Sequence, residues 1–240
     1  MPSIEHPSLG LLVPDAWGEH VTLRKFPFLP EFARGERATD KKDLTLIRDW
    51  EQHIDVLGPR AREFGLRDGL HREGIFEVYV EFRKGESPTQ AQEVAIASFI
   101  ADEQQICRNL VDAMLRYYGA ARCEIPDWFE SPPSSGDEFP QDPAAVGLAT
   151  VLDFDCLTIP RTEVASVAPL LFSWSPAWDE EHGLLSLVYD SQVLSIGTDE
   201  VRDMADSPSD DSFTLVWNRS IMTPPEIAAY EAYRRAYESK

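Results

Sequence analysis

Residues 87–119, SPTQAQEVAIASFIADEQQICRNLVDAMLRYYG, decide the fold, because they carry the clearest helical pattern in the chain. Ser87 is a good N-cap residue, a proline suits the first helical position, and Gln90 completes a capping box. Apolar residues then recur at steps of three and four, which is typical of one buried helix face: Ile96, Phe99, Ile100, Cys107, Leu110, Val111, Met114 and Tyr118. Gly119 favours a left-handed end. We predict a helix over 88–118.

The segments before this helix predict a sheet strand and an earlier helix. Residues 76–82, FEVYVEF, alternate apolar and polar side chains, which predicts a half-buried antiparallel strand. Val21–Leu23 suits a short strand. Apolar spacing over 44–57 predicts an amphipathic helix that ends at Gly58-Pro59.

The second half of the chain is rich in strand patterns. In the predicted strand 151–159, one face carries Leu152, Phe154 and Cys156, and the other carries Asp153 and Asp155. A second strand is predicted over 170–174. The apolar runs 184–189 and 192–196 flank Asp190-Ser191, a spacing typical of a two-residue hairpin.

The chain is predicted to end with a strand and a helix. Phe213, Leu215 and Trp217 mark the strand, which follows an acidic loop over 198–212. A capping box formed by Thr223 and Glu226 opens a helix over 224–238.

The stretch 124–145 contains five prolines and a Ser-Ser-Gly run, so it is the best candidate for a domain boundary. We divide the chain into an α+β portion (1–123), a Pro-rich connector (124–145) and an acidic, β-rich portion (146–240). One continuous domain is the open alternative. The predicted fold is α+β: mainly antiparallel sheet packed against the long helix, with a C-terminal helix nearby.

Composition excludes several classes of protein. No window of about 18 apolar residues is present, so we expect no membrane span. The first residues lack a basic region followed by an apolar one, so we expect no secretory signal. Cys107, Cys123 and Cys156 have no C-x-x-C spacing and cannot all pair. These features together predict a cytoplasmic protein.

The net charge of −20 is unevenly spread along the chain. Residues 124–212 hold 19 Asp and Glu against Arg161 and Arg202, a balance of −17. A field of this sign repels phosphate backbones, so we expect no nucleic-acid binding. It would speed the encounter with a basic protein partner, although a merely solvated surface would carry the same charge. The oligomeric state cannot be deduced from these patterns.

The candidate functional cluster is Trp178, Asp179, Glu180, Glu181 and His182, followed by a glycine. In a structural interpretation, the indole anchors a turn, the acids accept loop N–H groups and the glycine adopts a positive φ. In a chemical interpretation, Asp179, Glu181 and His182 bind a metal, or Glu181 and His182 form an acid/base pair. A partner-binding loop is the third interpretation.

Known catalytic motifs are absent from the sequence. It contains no nucleophile elbow, no phosphate-binding P-loop and no dinucleotide fingerprint. The cluster has neither H-E-x-x-H spacing nor the alternating carboxylates of a calcium loop. We therefore predict no catalytic residue, no bound metal and no cofactor. The alternative is a metal-dependent hydrolase that uses Asp179, Glu181 and His182.

Four features together resemble an uncharacterised bacterial family that carries a domain-of-unknown-function label. They are the Ser-Pro-x-Gln opening of the long helix, its Tyr117-Tyr118 ending, the W-D-x-E-H-G signature from Trp178, and Val-Leu-Ser-Ile-Gly over 193–197. The resemblance covers about residues 76–197 and implies no established activity. Some similar small acidic proteins resemble immunity proteins of bacterial toxin systems. These observations favour a non-enzymatic binding protein, immunity-like, whose acidic surface engages a basic protein.

Overall fold

The computed structural model describes residues 3–14, 19–29, 32, 74–82, 86–130, 139–141, 144–179, 182–206 and 216–239. The predicted helix over 44–57 lies outside these residues. So do Phe213 and Leu215 of the predicted late strand.

Eight strands of the described residues form one sheet, in which every strand lies beside its neighbours in sequence, in the order β1 to β8. Their bounds are β1 Ile4–His6, β2 Gly10–Pro14, β3 His20–Lys25, β4 Ile75–Val80, β5 Leu152–Ile159, β6 Leu170–Pro176, β7 Leu184–Tyr189 and β8 Gln192–Gly197. All neighbours pair antiparallel except β4 and β5, which run parallel. The predicted α+β fold with a mainly antiparallel sheet is confirmed.

Four α-helices and one 3₁₀ turn accompany the sheet in the described part of the chain. They are α1 Gln90–Glu124, the 3₁₀ turn Pro126–Phe129, α2 Ala145–Leu148, α3 Asp199–Asp206 and α4 Pro224–Glu238. The long helix and the C-terminal helix were both predicted. Helix α3 was not, since its residues were assigned to an acidic loop. Within the described residues, no helix combines the length and apolar character needed to cross a bilayer.

Helix α1 is the crossover between the two parallel strands, and it begins at the end of the sheet where they finish. The Gln92 side chain is fully buried, and its Nε2 lies 2.7 Å from the Glu81 carbonyl oxygen and 3.1 Å from that of Ile159. The Pro160 oxygen lies 3.2 Å away. One amide therefore satisfies carbonyls that follow both strands, which joins the helix to the parallel pair.

The start of α1 differs from the prediction. Thr89, not Ser87, is the N-cap: its hydroxyl accepts from the Gln92 N–H at 3.2 Å, while Gln92 Oε1 accepts from the Thr89 N–H at 2.9 Å. This is a capping box shifted by two residues from the expected one. We attribute the later helix start to Gln92, because its side-chain amide contacts the ends of β4 and β5 while its own cap partner is Thr89.

The helix also passes through the predicted stop at Gly119 and continues to Glu124. Gly119 is exposed, and the following Ala120 and Ala121 favour helix, with Ala121 fully buried. A glycine in a helix costs only about 1 kcal/mol, which the buried alanine and its neighbours offset. The chain leaves helical geometry once inside α1, at Asp102 (φ −115°, ψ 16°).

The core lies between α1 and the sheet and is rich in aromatic rings. Phe99 of α1 contacts Phe172 of β6, with ring centroids 6.1 Å apart, and Phe154 contacts Trp174 at 5.1 Å. Trp217 is also fully buried and donates from Nε1 to the Leu194 carbonyl at 3.1 Å. The structure places Trp217 in a bend and not in the predicted strand.

Two strand predictions need correction. All six residues of β4 are buried, so it is not half-buried, and it pairs antiparallel only with β3. In β5, a register shift between Phe154 and Cys156 inserts Asp155 as an extra residue. The bulge turns Cys156 off the predicted core face and leaves it partly exposed, while Asp155 becomes buried. Cys107 is buried as predicted, and none of the three cysteines forms a disulfide in the described part of the chain.

The late hairpin and the C-terminal helix match their predictions. Asp190 and Ser191 both have positive φ (49° and 59°), the geometry of a type I′ turn. Thr223 and Glu226 form the capping box of α4. The Glu226 carboxylate also pairs with Arg116 of α1 at 2.6 Å, which attaches α4 to the long helix. The division into 1–123, 124–145 and 146–240 stays a prediction.

Replacing Gln92 with alanine is expected to cost about 2–4 kcal/mol of folding free energy, because the buried bonds of its amide to the strand-end carbonyls and to the Thr89 N–H are lost. Gln104→Ala, an exposed substitution on the same helix, is the matched control and should change stability by about 0.5 kcal/mol or less. Chemical denaturation of both variants measures the difference. Equal stabilities would show that the Gln92 amide does not join helix and sheet.

Candidate functional site

The connection between β6 and β7, which we call the 177–183 corner, is described at residues 177–179, 182 and 183 and is built around one tryptophan and one glycine. Trp178 is 7% exposed, and its ring contacts Tyr118 and Phe129 at centroid distances of 5.2 and 5.7 Å. Gly183 has φ +68°, and a Cβ there would lie 3.3 Å from the Trp174 carbonyl oxygen. Both features were expected from the structural interpretation of the cluster.

Asp179 and His182 form a bonded pair on this corner. The Asp179 carboxylate accepts from the His182 backbone N–H at 3.2 Å, and its Oδ1 lies 2.8 Å from His182 Nδ1. The Asp179 side chain is 13% exposed and that of His182 is 65% exposed. The pair therefore presents an imidazole to solvent and holds a carboxylate partly sheltered behind it.

A pocket of 280 Å³ lies beside this pair. We call it the Tyr117 pocket, and it draws side chains from five separate stretches of the chain. Its lining residues are Tyr117, Ile125, Trp128, Asp179, His182, Thr198, Glu200 and Val216. No lysine or arginine occurs among these described lining residues.

The surroundings of Tyr117 indicate that the pocket is electrostatically negative. Burial raises the pKa of its hydroxyl, and the negative charges of Glu200 and Asp179 raise it further. The two carboxylates therefore act on the same buried phenol from different chain segments. The pocket has a negative potential that disfavours anions and favours a cation.

Glu200 reaches the pocket from the first turn of α3, which directly follows β8. The Thr198 carbonyl accepts from the Val201 N–H at 3.1 Å, and the Thr198 hydroxyl donates to the Glu200 carboxylate. These bonds fix the entry to the helix and hold Glu200 on the rim. Glu200 itself is exposed.

The predicted Pro-rich connector also contributes to this site. Ile125 and Trp128 line the pocket, and the Phe129 ring contacts Tyr118 at 5.4 Å. The Arg122 guanidinium lies over the Tyr118 and Phe129 rings and donates to the Pro140 carbonyl at 3.0 Å. The described parts of the connector are therefore packed on α1.

Of the five predicted site residues, the structure brings Asp179 and His182 to the pocket and places Trp178 in the core. Glu180 and Glu181 lie outside the described residues, so the metal set and the Glu181–His182 pair stay predictions. No group of three or more His, Cys, Asp and Glu side chains in the described residues is arranged to hold a metal ion.

Tyr117, Thr198 and Glu200 were not predicted as site residues. Tyr117 was recognised only as part of a helix ending, and Glu200 only as one acid in a presumed loop. They are separated from Asp179 by 62 and 21 positions in the printed sequence. No local spacing could have indicated that α1, the 177–183 corner and α3 meet at one point.

A family model described as "Domain of unknown function (DUF6985)" matches residues 66–204. The match is longer than half of the chain and includes α1, β4 to β8 and the 177–183 corner. The chain therefore belongs to this family. Comparison with curated proteins and with solved structures gave no match.

Trp178→Ala is expected to cost about 3 kcal/mol or more, because a buried indole and its ring contacts are lost. The matched control is Trp128→Ala, which removes a half-buried ring from the pocket wall and should cost clearly less. Thermal and chemical denaturation measure both. A wild-type melting temperature for Trp178→Ala would mean that the ring does not anchor the corner.

Proposed function

We propose that this DUF6985 protein is a non-enzymatic, cytoplasmic binding protein of bacterial origin, similar to toxin-immunity proteins, that engages a basic protein partner. The partner docks on an acidic surface centred on the Tyr117 pocket. The observation that carries the proposal is that Asp179 and Glu200 both line the pocket beside the buried Tyr117, while no Lys or Arg is among the described lining residues. Nucleic acid and membranes are not partners in this proposal.

The lining of the pocket supports a basic side chain as its occupant. Carboxylates can pair with a lysine ammonium or an arginine guanidinium, and the Trp128 and Tyr117 rings offer aromatic surfaces on which cations pack favourably. The volume of 280 Å³ is just below the range for small-molecule sites, about 300–1,000 Å³. It suits one inserted side chain better than a large cofactor.

The charge of the surrounding sequence supports the same partner. Residues 124–212 include Asp179, Glu200 and the 3₁₀ turn, and their balance is −17. Such a field accelerates the approach of a basic protein and disfavours acidic ones. The three cysteines form no disulfide within the described residues, which supports a reducing compartment.

Affinity purification with the immobilised protein tests the proposal. We expect a basic protein to be retained at low salt and released at high salt, because the attraction is screened. The double variant Asp179→Asn with Glu200→Gln should weaken the affinity for that protein by about tenfold or more.

Glu5→Gln is the matched control, since this exposed acid lies on β1, at the opposite edge of the sheet from β8. It should bind like the wild type. If no protein is retained, if retention is independent of salt, or if Glu5→Gln weakens binding as much as the double variant, the proposal is wrong.

A metal-dependent hydrolase that uses Asp179, Glu181 and His182 is the second candidate. The observation that favours it is the 2.8 Å contact between the Asp179 carboxylate and His182 Nδ1. A carboxylate bonded to one ring nitrogen orients the other nitrogen toward a ligand in many metal sites.

Elemental analysis of the purified protein distinguishes the two candidates. The hydrolase requires stoichiometric zinc or manganese that is lost in His182→Ala. The binding protein requires no such metal, and partner binding should survive treatment with a chelator.

A further inference from the structure

A second concavity, which shares no lining residue with the Tyr117 pocket, lies where α1, β6, β7 and α4 meet. Its volume is 510 Å³, within the range of sites for small organic molecules. We call it the helix-break cleft, because Asp102, the non-helical residue of α1, lies on its wall. Phe99, Ala168, Leu170 and Val188 are buried residues of its apolar lining.

Small side chains keep this cleft open. Five of its lining residues are alanines, and they come from α1, from the turn before β6 and from α4: Ala95, Ala165, Ala168, Ala232 and Ala236. Ala232 and Ala236 are one helical turn apart, so they present one continuous shallow face. A larger side chain at any of these positions would reduce the space.

The charge at the cleft is entirely negative. Asp102 of α1 and Asp190 of the hairpin turn both line it and are exposed, and no Lys, Arg or His is among the described lining residues. Within the described part of the chain, neither carboxylate forms an ion pair. The Tyr189 hydroxyl donates to the Val164 carbonyl at 3.1 Å.

The electrostatic surroundings of Tyr189, at one end of the cleft, are negative. Burial raises the pKa of its hydroxyl, and the Asp190 charge raises it further. The cleft therefore combines an apolar floor, which favours an uncharged organic body, with two unpaired carboxylates at the rim, which favour a positive group.

We propose that the helix-break cleft binds a small organic cation, with its apolar or aromatic body on the Phe99–Leu170–Val188 floor and its positive group near Asp102 and Asp190. The proposal is independent of the Tyr117 pocket. Charge complementarity distinguishes this ligand class from organic anions, and the volume accommodates a molecule of two or three rings.

Fluorescence titration with thioflavin T, an aromatic cation, tests the proposal. We expect saturable binding of one dye per chain and weaker binding of anilinonaphthalene sulfonate, an aromatic anion. Asp102→Asn with Asp190→Asn should weaken the dye affinity by about two- to fivefold, as expected for exposed charge pairs. Asparagine tolerates the positive φ at position 190, so the turn is kept.

Blocking variants locate the dye. Ala232→Trp fills the cleft from an exposed position of α4, whereas Ala228→Trp places the same ring one turn earlier, at an exposed residue outside the lining. We expect loss of binding for the first and wild-type binding for the second. Ser98→Trp, on the α1 wall, is the second blocking variant if Ala232→Trp lowers the melting temperature.

Four results would overturn the proposal. Three are the absence of saturable dye binding, an affinity for the anion equal to or higher than that for the cation, and binding that both blocking variants leave intact. The fourth is a large loss of dye binding in the double variant Asp179→Asn with Glu200→Gln, which would move the cation site to the Tyr117 pocket; we expect this variant to bind the dye like the wild type.

Discussion

The buried amide of Gln92 is the interaction on which the rest of the architecture depends. A parallel strand pair needs a long crossover, and here α1 provides it between β4 and β5. The crossover begins beside the ends of those strands, where the Gln92 amide meets their last carbonyls. Gln92 supplies donors to Glu81, Ile159 and Pro160 and closes its own helix cap on Thr89. The position of α1 over the sheet follows from this contact.

The 177–183 corner shows how one short segment can combine support with a site. Trp178 and Gly183 are explained by packing and backbone geometry alone, as the structural interpretation required. Asp179 and His182 come between them and reach the Tyr117 pocket. The structural interpretation therefore accounts for Trp178 and Gly183, while the chemical and partner-binding interpretations stay predictions for Asp179 and His182. The buried indole and the glycine hold the corner, and the position of the corner brings Asp179 to Tyr117.

Patterns with a local physical cause were predictable from the sequence. The Thr223–Glu226 capping box and the Asp190-Ser191 turn involve neighbours in the chain, and both were found. Features that depend on distant partners were missed. The N-cap moved to Thr89 because Gln92 bonds to strand ends far away in sequence, and the Asp155 bulge reversed the face of Cys156. The Tyr117 pocket was missed for the same reason, since it joins five separate stretches.

Several arginines are held in contacts inside the structure and do not line the Tyr117 pocket or the helix-break cleft, so both concavities remain acidic. Arg116 pairs with Glu226 between two helices, and Arg24 pairs with Glu103, both at contacts with largely buried carboxylates. Arg122 is held by aromatic rings and connector carbonyls.

The chain has 42 acids and 22 Lys and Arg, so one-to-one pairing of every base would still leave 20 carboxylates without a partner. Unpaired carboxylates are most stable in water or beside a cation, since burial without a counter-charge is costly. The Tyr117 pocket and the helix-break cleft each place two carboxylates beside apolar surface, where a basic side chain or an organic cation would gain from both contacts at once.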